Sequence, residues 1–193
     1  MPAPTLSERQ NAAADTICAR FPQIGRKEFR GDVTLTVQPD DLLAVMRYAR
    51  EACGFDMLLC VSSVDNLGCE PRFETNYTIT QAETGANLLV RCPVSEAECS
   101  VPSMVPLWRS ANWLEREQYD LMGIEFAGHP DLRRIMMWDG YPYHPLRKDF
   151  PVAGKETELP GVAFTEKAPT AGGPFTTRPG VMTAGEREPR SRD

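Results

Sequence analysis

Hydrophobic and polar residues follow a strand-like pattern in several short runs of the first half of the chain. Apolar and polar residues alternate in two runs, Asp32 to Val37 and Phe73 to Ile79. This alternation is typical of a strand with one buried face. Asn87 to Cys92 follows a turn at Glu83 to Ala86, as expected for the second strand of an antiparallel hairpin. Met57 to Val61 is apolar throughout and predicts a central strand with both faces covered.

Three helices are predicted, and a glycine or a proline marks the end of each one. Thr5 and Glu8 fit a capping box, in which the hydroxyl and the carboxylate each satisfy a free N–H group at the start of a helix. Hydrophobic residues then recur at helical spacing in each segment. The helices are expected over residues 5–20, 39–53 and 111–122.

The order of these elements is helix, strand, helix and then several strands. It predicts an α+β fold, with helices packed on one face of a mostly antiparallel sheet, followed by an irregular charged segment and an extended C-terminal tail. The irregular segment should hold one short helical turn, from Asp131 to Arg134. Residues 152–193 contain five prolines and six glycines in 42 residues, too little apolar surface to order the tail. We therefore divide the chain into an α+β domain, a docking segment and a tail: residues 1–110, 111–151 and 152–193.

Composition excludes several classes of protein. The chain has 193 residues, with 21 basic against 27 acidic ones, so it lacks the basic surface that nucleic acids require. It has no apolar run of about 18 residues that could cross a membrane, and no leader pattern at its N-terminus, so we expect it to stay where it is made. Its six cysteines include no closely spaced pair, which argues against an iron-sulfur cluster or a zinc site.

The residues that could carry out chemistry or bind a ligand are concentrated between Glu115 and Pro151. This stretch includes both histidines of the chain. His129 and His144 could form an acid-base pair or bind a metal, because imidazole titrates near neutrality and is a common ligand. Each histidine precedes a proline, and no third ligand stands at a recognisable spacing. Hydrogen bonds within a turn are therefore the favoured role for both rings.

The charges on the third predicted helix do not form a catalytic pair. Glu115 and Glu117 are two residues apart and so point to different faces, which is typical of surface or interface charges. Arg116 and Asp120 are four residues apart and can pair across one turn.

Two basic pairs follow this helix. Arg133 with Arg134, and Arg147 with Lys148, could bind a phosphate, but no glycine-rich loop precedes either pair. Guanidinium groups also make paired hydrogen bonds with carboxylates, so the acidic side chains of a partner protein are an equally good match.

Four motifs in this region, taken in order, resemble the C subunit of proton-pumping NADH:quinone oxidoreductase, which is the 30 kDa subunit family of respiratory complex I. They are Ala111-Asn-Trp-Leu-Glu-Arg-Glu-x-Tyr-Asp120, Gly123-Ile124, Gly128-His-Pro-x-Leu-Arg-Arg-Ile135 and His144-Pro-Leu-Arg-Lys-Asp-Phe-Pro151. Two positions depart from the family pattern. Met122 stands where phenylalanine is more frequent, and Tyr143 stands where glycine commonly precedes the second His-Pro step.

The resemblance implies a subunit with no catalytic residues and no flavin, iron-sulfur cluster or quinone of its own. The whole complex would carry electrons from NADH through FMN and iron-sulfur clusters to quinone, and would translocate protons. This chain would belong to the peripheral arm, beside the D and B subunits, which form the quinone pocket, and near the I subunit. Its location would be peripheral, on the cytoplasmic face of a bacterial inner membrane or the matrix face of a mitochondrial one.

By the same resemblance, the charged segment is expected to contact partner subunits through a set of polar side chains. Two alternatives remain open: an equivalent subunit of a membrane-bound hydrogenase or of a ferredoxin- or deazaflavin-linked complex, and a stand-alone metal enzyme using the two histidines. The expected interface residues are Glu115, Arg116, Glu117, Asp120, His129, Arg133, Arg134, His144, Arg147, Lys148 and Asp149.

Overall fold

The computed structural model describes residues 5–151. The chain divides into two units, residues 1–148 and 149–193, and only 149–151 of the second unit are described. The expected extended tail therefore lies outside the described residues. The division at residues 110 and 151 was drawn from sequence character and stays a prediction.

Helices and strands follow one another in an order close to the predicted one, and each helix starts and ends at recognisable residues. The elements are α1 (Leu6–Arg20), β1 (Gly25–Phe29), β2 (Asp32–Thr36), α2 (Pro39–Glu51), β3 (Met57–Asp65), β4 (Phe73–Thr80), β5 (Asn87–Val94), β6 (Ser100–Pro102), α3 (Ala111–Met122) and β7 (Glu125–Ala127).

Five strands form one sheet in the order β1-β2-β5-β4-β3. Neighbouring strands are antiparallel except for β2 and β5, which run parallel. The buried residues of the sheet and those of α1, α2 and α3 belong to a single hydrophobic core. The predicted α+β class, a mostly antiparallel sheet with helices on one face, is confirmed.

The helix signals in the sequence act as predicted. The Thr5 hydroxyl accepts from the Glu8 N–H, and the Glu8 carboxylate accepts from the Thr5 N–H at 2.7 Å, which completes the capping box of α1. At the other end of the domain, α3 stops at Gly123, whose φ of 73° places it in the left-handed region that glycine enters without strain. Within residues 5–151, no helix is long and apolar enough to cross a membrane.

Two local predictions were wrong, and one strand was not predicted. Strand β3 lies at an edge of the sheet rather than its centre, because a continuous apolar run reports hydrophobicity and not whether a second face is covered. Strand β1 was not predicted, because all five of its residues are exposed and it carries no hydrophobic pattern. Residues 132–134 are irregular, with no helical turn.

Candidate docking surface around the third helix

Helix α3 organises the charged segment because it buries polar side chains on more than one side. A surface helix normally buries one apolar stripe. Here Glu115 and Asp120 are 0% exposed, and Arg116 and Gln118 are 6% and 7% exposed. Residues 129–147 cover the second side, since side chains and backbone groups from this stretch bond to the helix at several points.

Glu115 is an interior residue and not the surface charge that the sequence predicted. Its two carboxylate oxygens accept hydrogen bonds at 2.6 Å, one from the Ser103 hydroxyl and one from the Met104 N–H group. Burial raises the pKa of Glu115 to about 7, although these two hydrogen bonds act in the opposite direction. Glu115 and Glu117 lie on different faces, as their spacing predicted, since Glu117 is partly exposed; spacing alone does not indicate which of the two faces is buried.

Arg116 and Asp120 do not pair with each other across the helix turn. The Arg116 guanidinium donates to the backbone carbonyls of Arg133 and Arg134, at 3.0 and 3.3 Å. Asp120 instead forms an ion pair with Arg134, with 2.7 Å between Oδ1 and Nη1. Both side chains therefore bind the segment that follows α3. The spacing of residues within a helix cannot predict such contacts, because their partners lie outside the helix.

Asp120 holds the loop after Arg134 through three consecutive backbone groups. Its Oδ2 accepts the N–H groups of Ile135, Met136 and Met137 at 3.0, 2.6 and 2.8 Å. Burial alone would raise the pKa of Asp120, but these hydrogen bonds and the Arg134 guanidinium outweigh it and lower the pKa. The carboxylate thus stays ionised and fixes the loop.

His129 is satisfied by backbone groups on both ring nitrogens. Its Nδ1 accepts the Asp131 N–H at 3.0 Å, so the ring proton lies on Nε2, which donates to the Asn112 carbonyl at 3.2 Å. The same Nε2 lies 4.0 Å from Oε2 of Glu115.

His144 and Arg147 close the C-terminal end of α3. The His144 Nδ1 donates to the Asp120 carbonyl at 3.0 Å, and the Arg147 Nε donates to the Met122 carbonyl at 2.7 Å. Burial, with the positive charges of nearby arginines, lowers the pKa of His144. A methyl group at Gly123 would lie 2.6 Å from the His144 ring, so glycine is required there for space as well as for its positive φ.

A buried ion pair that the sequence did not single out anchors the same segment to the sheet. Arg72 makes two hydrogen bonds of 2.9 Å with the two oxygens of Asp65, and Asp65 also accepts the Lys148 N–H at 2.7 Å. The Arg72 hydrogen bond lowers the pKa of Asp65 in spite of its burial. The contact of Asp65 with Lys148 joins residues 83 positions apart, which no local sequence pattern indicates.

Few of the expected interface charges remain exposed. Arg133 and Lys148 are exposed, and Arg133 pairs with Asp131 at 2.9 Å where both side chains are more than half exposed. Asp149 is exposed as well, and lies in the second unit of the chain. Whether any of the eleven predicted residues contacts a partner stays a prediction.

Large apolar side chains that were not predicted as site residues are exposed on this segment. Trp113, Met136 and Leu146 are 64%, 66% and 56% exposed. The Arg116 guanidinium lies 4.9 Å from the centre of the Trp113 ring and makes a cation–π contact with it. Their unusual exposure could not be read from a helical pattern, because the covering loop determines which residues stay outside.

No group of three histidine, cysteine or acidic side chains in the part of the chain that the structure describes could hold a metal ion. The six cysteines are all unpaired. Burial raises the pKa of Cys92 to about 12, which keeps that thiol protonated.

Residues 35–156 match the family model described as respiratory-chain NADH dehydrogenase, 30 kDa subunit. The chain belongs to this family. Membership of the family formed by the C subunits of NADH-quinone oxidoreductase, which the four motifs predicted, is thereby confirmed, and so is the predicted place of the chain as a subunit of the respiratory-chain oxidoreductase.

Relatives within the family cover most of the chain. The C subunit of the NADH-quinone oxidoreductase of Geotalea uraniireducens is 47% identical over 132 residues, which is 68% of this chain and 80% of the relative. That of a Roseiflexus species is 41% identical over 164 residues, or 83% and 88% of the two chains. A Hydrogenobaculum relative, 40% identical over 77% of this chain and 26% of its own length, is named as a C/D subunit of the same oxidoreductase.

Two solved structures share the fold. A trypsin-resistant fragment of Nqo5 is 29% identical, with a TM-score of 0.58, and the match covers 64% of this chain and 99% of the fragment. A chain of an archaeal membrane-bound sulfane sulfur reductase is 23% identical, with a TM-score of 0.65 over 75% of this chain and 87% of its own. At that identity, the second likeness concerns the fold alone.

Proposed function

We propose that this chain is a structural subunit of complex I that packs against the D subunit, binds no redox group of its own, and supports the subunits that form the quinone site. The observation that carries the proposal is the relative with the double name C/D, in which the stretch similar to this chain is 26% of a longer polypeptide. Two subunits joined in one polypeptide can work together only if their domains lie within reach of each other.

The contact surface for this partner is the exposed side of residues 111–148. Trp113 and Met136 supply apolar area there, and Arg133 and Lys148 supply charge at its margin. Tryptophan and arginine are the residue types that most often dominate the binding energy of protein interfaces. The buried charges below them act within the chain and keep this surface in one shape.

The B and I subunits complete the proposed surroundings. In this arrangement the FMN and the iron-sulfur clusters belong to other subunits, and NADH and quinone react there. The chain would be held at the membrane through the complex, on the cytoplasmic side in a bacterium. The match of the family model to respiratory-chain NADH dehydrogenase supports NADH as the electron donor.

Deletion of the gene tests the proposal when two electron acceptors are compared in isolated membranes. Loss of the chain should abolish NADH oxidation by quinone, because the quinone site loses its support. Oxidation by an artificial acceptor that takes electrons at the flavin should continue at a reduced rate. Unchanged quinone-linked NADH oxidation in the deletion strain would rule the proposal out, and re-expression of the chain is the control.

A further inference from the structure

A cleft of about 360 Å³ lies between the end of α2, the start of β3 and the turn that leads into α3. None of the residues expected at a partner interface lines it. Its lining residues are Arg50, Asp56, Met57, Leu58, Leu107, Trp108, Arg109 and Ser110.

Two arginines give this cleft a positive character that is unusual in a chain of net charge -6. Arg50 and Arg109 are both exposed, and neither guanidinium has an acidic or hydrogen-bonding partner within residues 5–151. Asp56 is the one acidic residue in the lining, and its Oδ1 accepts the Ala82 N–H at 2.8 Å. The cleft therefore carries two unpaired positive charges against one negative charge that is already engaged.

The start of α3 also favours an acceptor in the same place. Helix α3 begins at the cleft, and its first turn holds no acidic residue; the Ser110 hydroxyl bonds to the Leu58 carbonyl at 3.3 Å and does not cap the helix. No acidic side chain of the first turn compensates the positive end of the helix dipole, although the N–H groups of Ala111 and Asn112 bond to the carbonyls of Trp108 and Arg109. Trp108, which also lines the cleft, is 5% exposed, and its indole nitrogen is itself buried.

Met57 lines the cleft, and Leu59 follows it two residues along β3. Met57 and Leu59 on strand β3 are 45% and 47% exposed, at an edge of the sheet. A small free anion would use the arginines and leave these two side chains in water. A polypeptide that carries a carboxylate next to an apolar side chain would use both parts of the site.

We propose that this cleft receives an aspartate or glutamate side chain from a neighbouring subunit, with an adjacent apolar residue of the same neighbour placed over Met57 and Leu59. Arg50 and Arg109 bind the carboxylate from two sides, and α3 adds its N-terminal dipole. The site is a second contact, separate from the one around Trp113. It rests on the proposed function insofar as the chain works inside a complex of several subunits.

A photocrosslinking experiment in the assembled complex tests this site. The affinity-tagged chain carries p-benzoylphenylalanine in place of Met57 and is expressed in a strain that lacks the native gene. After irradiation the complex is purified, and the adducts are identified by mass spectrometry. We expect an adduct with a peptide of another subunit that contains Asp or Glu.

Charge reversal separates a specific carboxylate contact from mere proximity. In the variant Arg50→Glu with Arg109→Glu, the adduct yield should fall about tenfold, because like charges then face each other. The matched control reverses Arg47 and Lys27, which are exposed and lie outside the cleft, and its yield should stay within about twofold of the parent. Replacing the acidic residue of the captured peptide by lysine should restore the adduct in the first variant.

Three results would overturn the inference while leaving the proposed function intact, provided that the chain co-purifies with the complex. The first is adducts confined to this chain or to lipid. The second is a captured peptide without an acidic residue, and the third is a yield that the reversal at Arg50 and Arg109 does not change. If the tagged chain purifies without any other subunit, both the inference and the proposed function fail.

Discussion

At the scale of single residues, the buried polar side chains of α3 form hydrogen bonds with other segments of the same chain. Glu115 bonds to the Ser103–Met104 stretch, Arg116 bonds to two carbonyls, and Asp120 bonds to three consecutive N–H groups. Buried charges are stable only when each one finds partners, and these find them within the chain. Their clustering in the sequence therefore reflects folding as much as partner recognition.

Glu115→Gln should alter how stability depends on pH. In the folded chain burial raises the pKa of Glu115 from 4.5 to about 7. Between these two values the unfolded chain is ionised while the folded chain keeps its proton, so the wild-type loses stability as the pH rises through this window. The glutamine variant carries no such penalty, and by pH 8 it should have gained up to about 3 kcal/mol relative to wild-type.

Urea unfolding of both proteins between pH 4 and 8 measures this difference. Glu117→Gln is the matched control, since it removes the same charge from a partly exposed position on the same helix. A difference between wild-type and Glu115→Gln that stays constant across the pH range would contradict the interior position of Glu115.

Asp120→Asn should destabilise the chain by about 3 kcal/mol, because it removes the ion pair with Arg134 and places an amide N–H against backbone donors. The matched control is Asp131→Asn, whose ion pair with Arg133 is more than half exposed and whose loss should cost less than about 1 kcal/mol. The free energies of unfolding of both variants give the comparison. Equal losses would show that the Asp120 contacts contribute no more than a surface pair.

At the scale of elements, the loop over residues 129–147 is part of the packing of α3. It reaches both ends of the helix, at Asn112 near the start and at Met122 near the end. The exposed position of Trp113 and Met136 depends on this arrangement, because the loop determines which side of α3 stays uncovered. A change that lifts the loop is expected to disturb the surface as a whole.

Gly123→Ala tests the closure at the end of α3. Alanine is strained there by the positive φ and also meets the His144 ring, so we expect a loss of about 3 kcal/mol. Gly140→Ala is the control, because Gly140 has a φ of 84° but no atom within 4 Å of the added methyl, and about 1 kcal/mol should be lost. Chemical unfolding measures both. Equal losses in the free energy of unfolding for the two variants would contradict the close packing of His144 against Gly123.

Sequence patterns were sufficient for elements whose signals are local. The capping box predicted the start of α1, and Gly123 predicted the end of α3, since both signals act through neighbouring residues. Strand β1 was not predicted, because a strand that is exposed throughout has no hydrophobic periodicity. The edge position of β3 was not predicted either, because the order of strands in a sheet depends on contacts between distant segments.

At the scale of the whole molecule, the motifs after residue 110 predicted the family, while the contact of this region with partners stays a prediction. The motifs identified the segment after residue 110, and family membership bears out the resemblance. The charges in it were expected to face partners, but Glu115 and Asp120 are fully buried within the chain. Burial of a polar residue depends on what the fold places over it, so a single sequence cannot reveal it.

Trp113→Ala should weaken the association with the complex without unfolding the chain. Loss of an exposed aromatic residue that becomes buried in an interface lowers affinity by about tenfold or more. Phe29→Ala is the matched control, because Phe29 is also 64% exposed and also lies near a guanidinium, that of Arg30 at 5.2 Å. Retention of each variant after detergent washes of the purified complex gives the comparison, and equal retention of both variants would place the interface elsewhere.

The most direct test of the central claim is the composition of the complex that co-purifies with this chain. A tag on the chain, gentle solubilisation of membranes and quantitative mass spectrometry give the molar ratio of the D subunit to the tagged chain. We predict an equimolar amount of the D subunit in a preparation that oxidises NADH with quinone, and a clear loss of it with Trp113→Ala. A tagged wild-type chain recovered from active membranes without the D subunit would contradict the account.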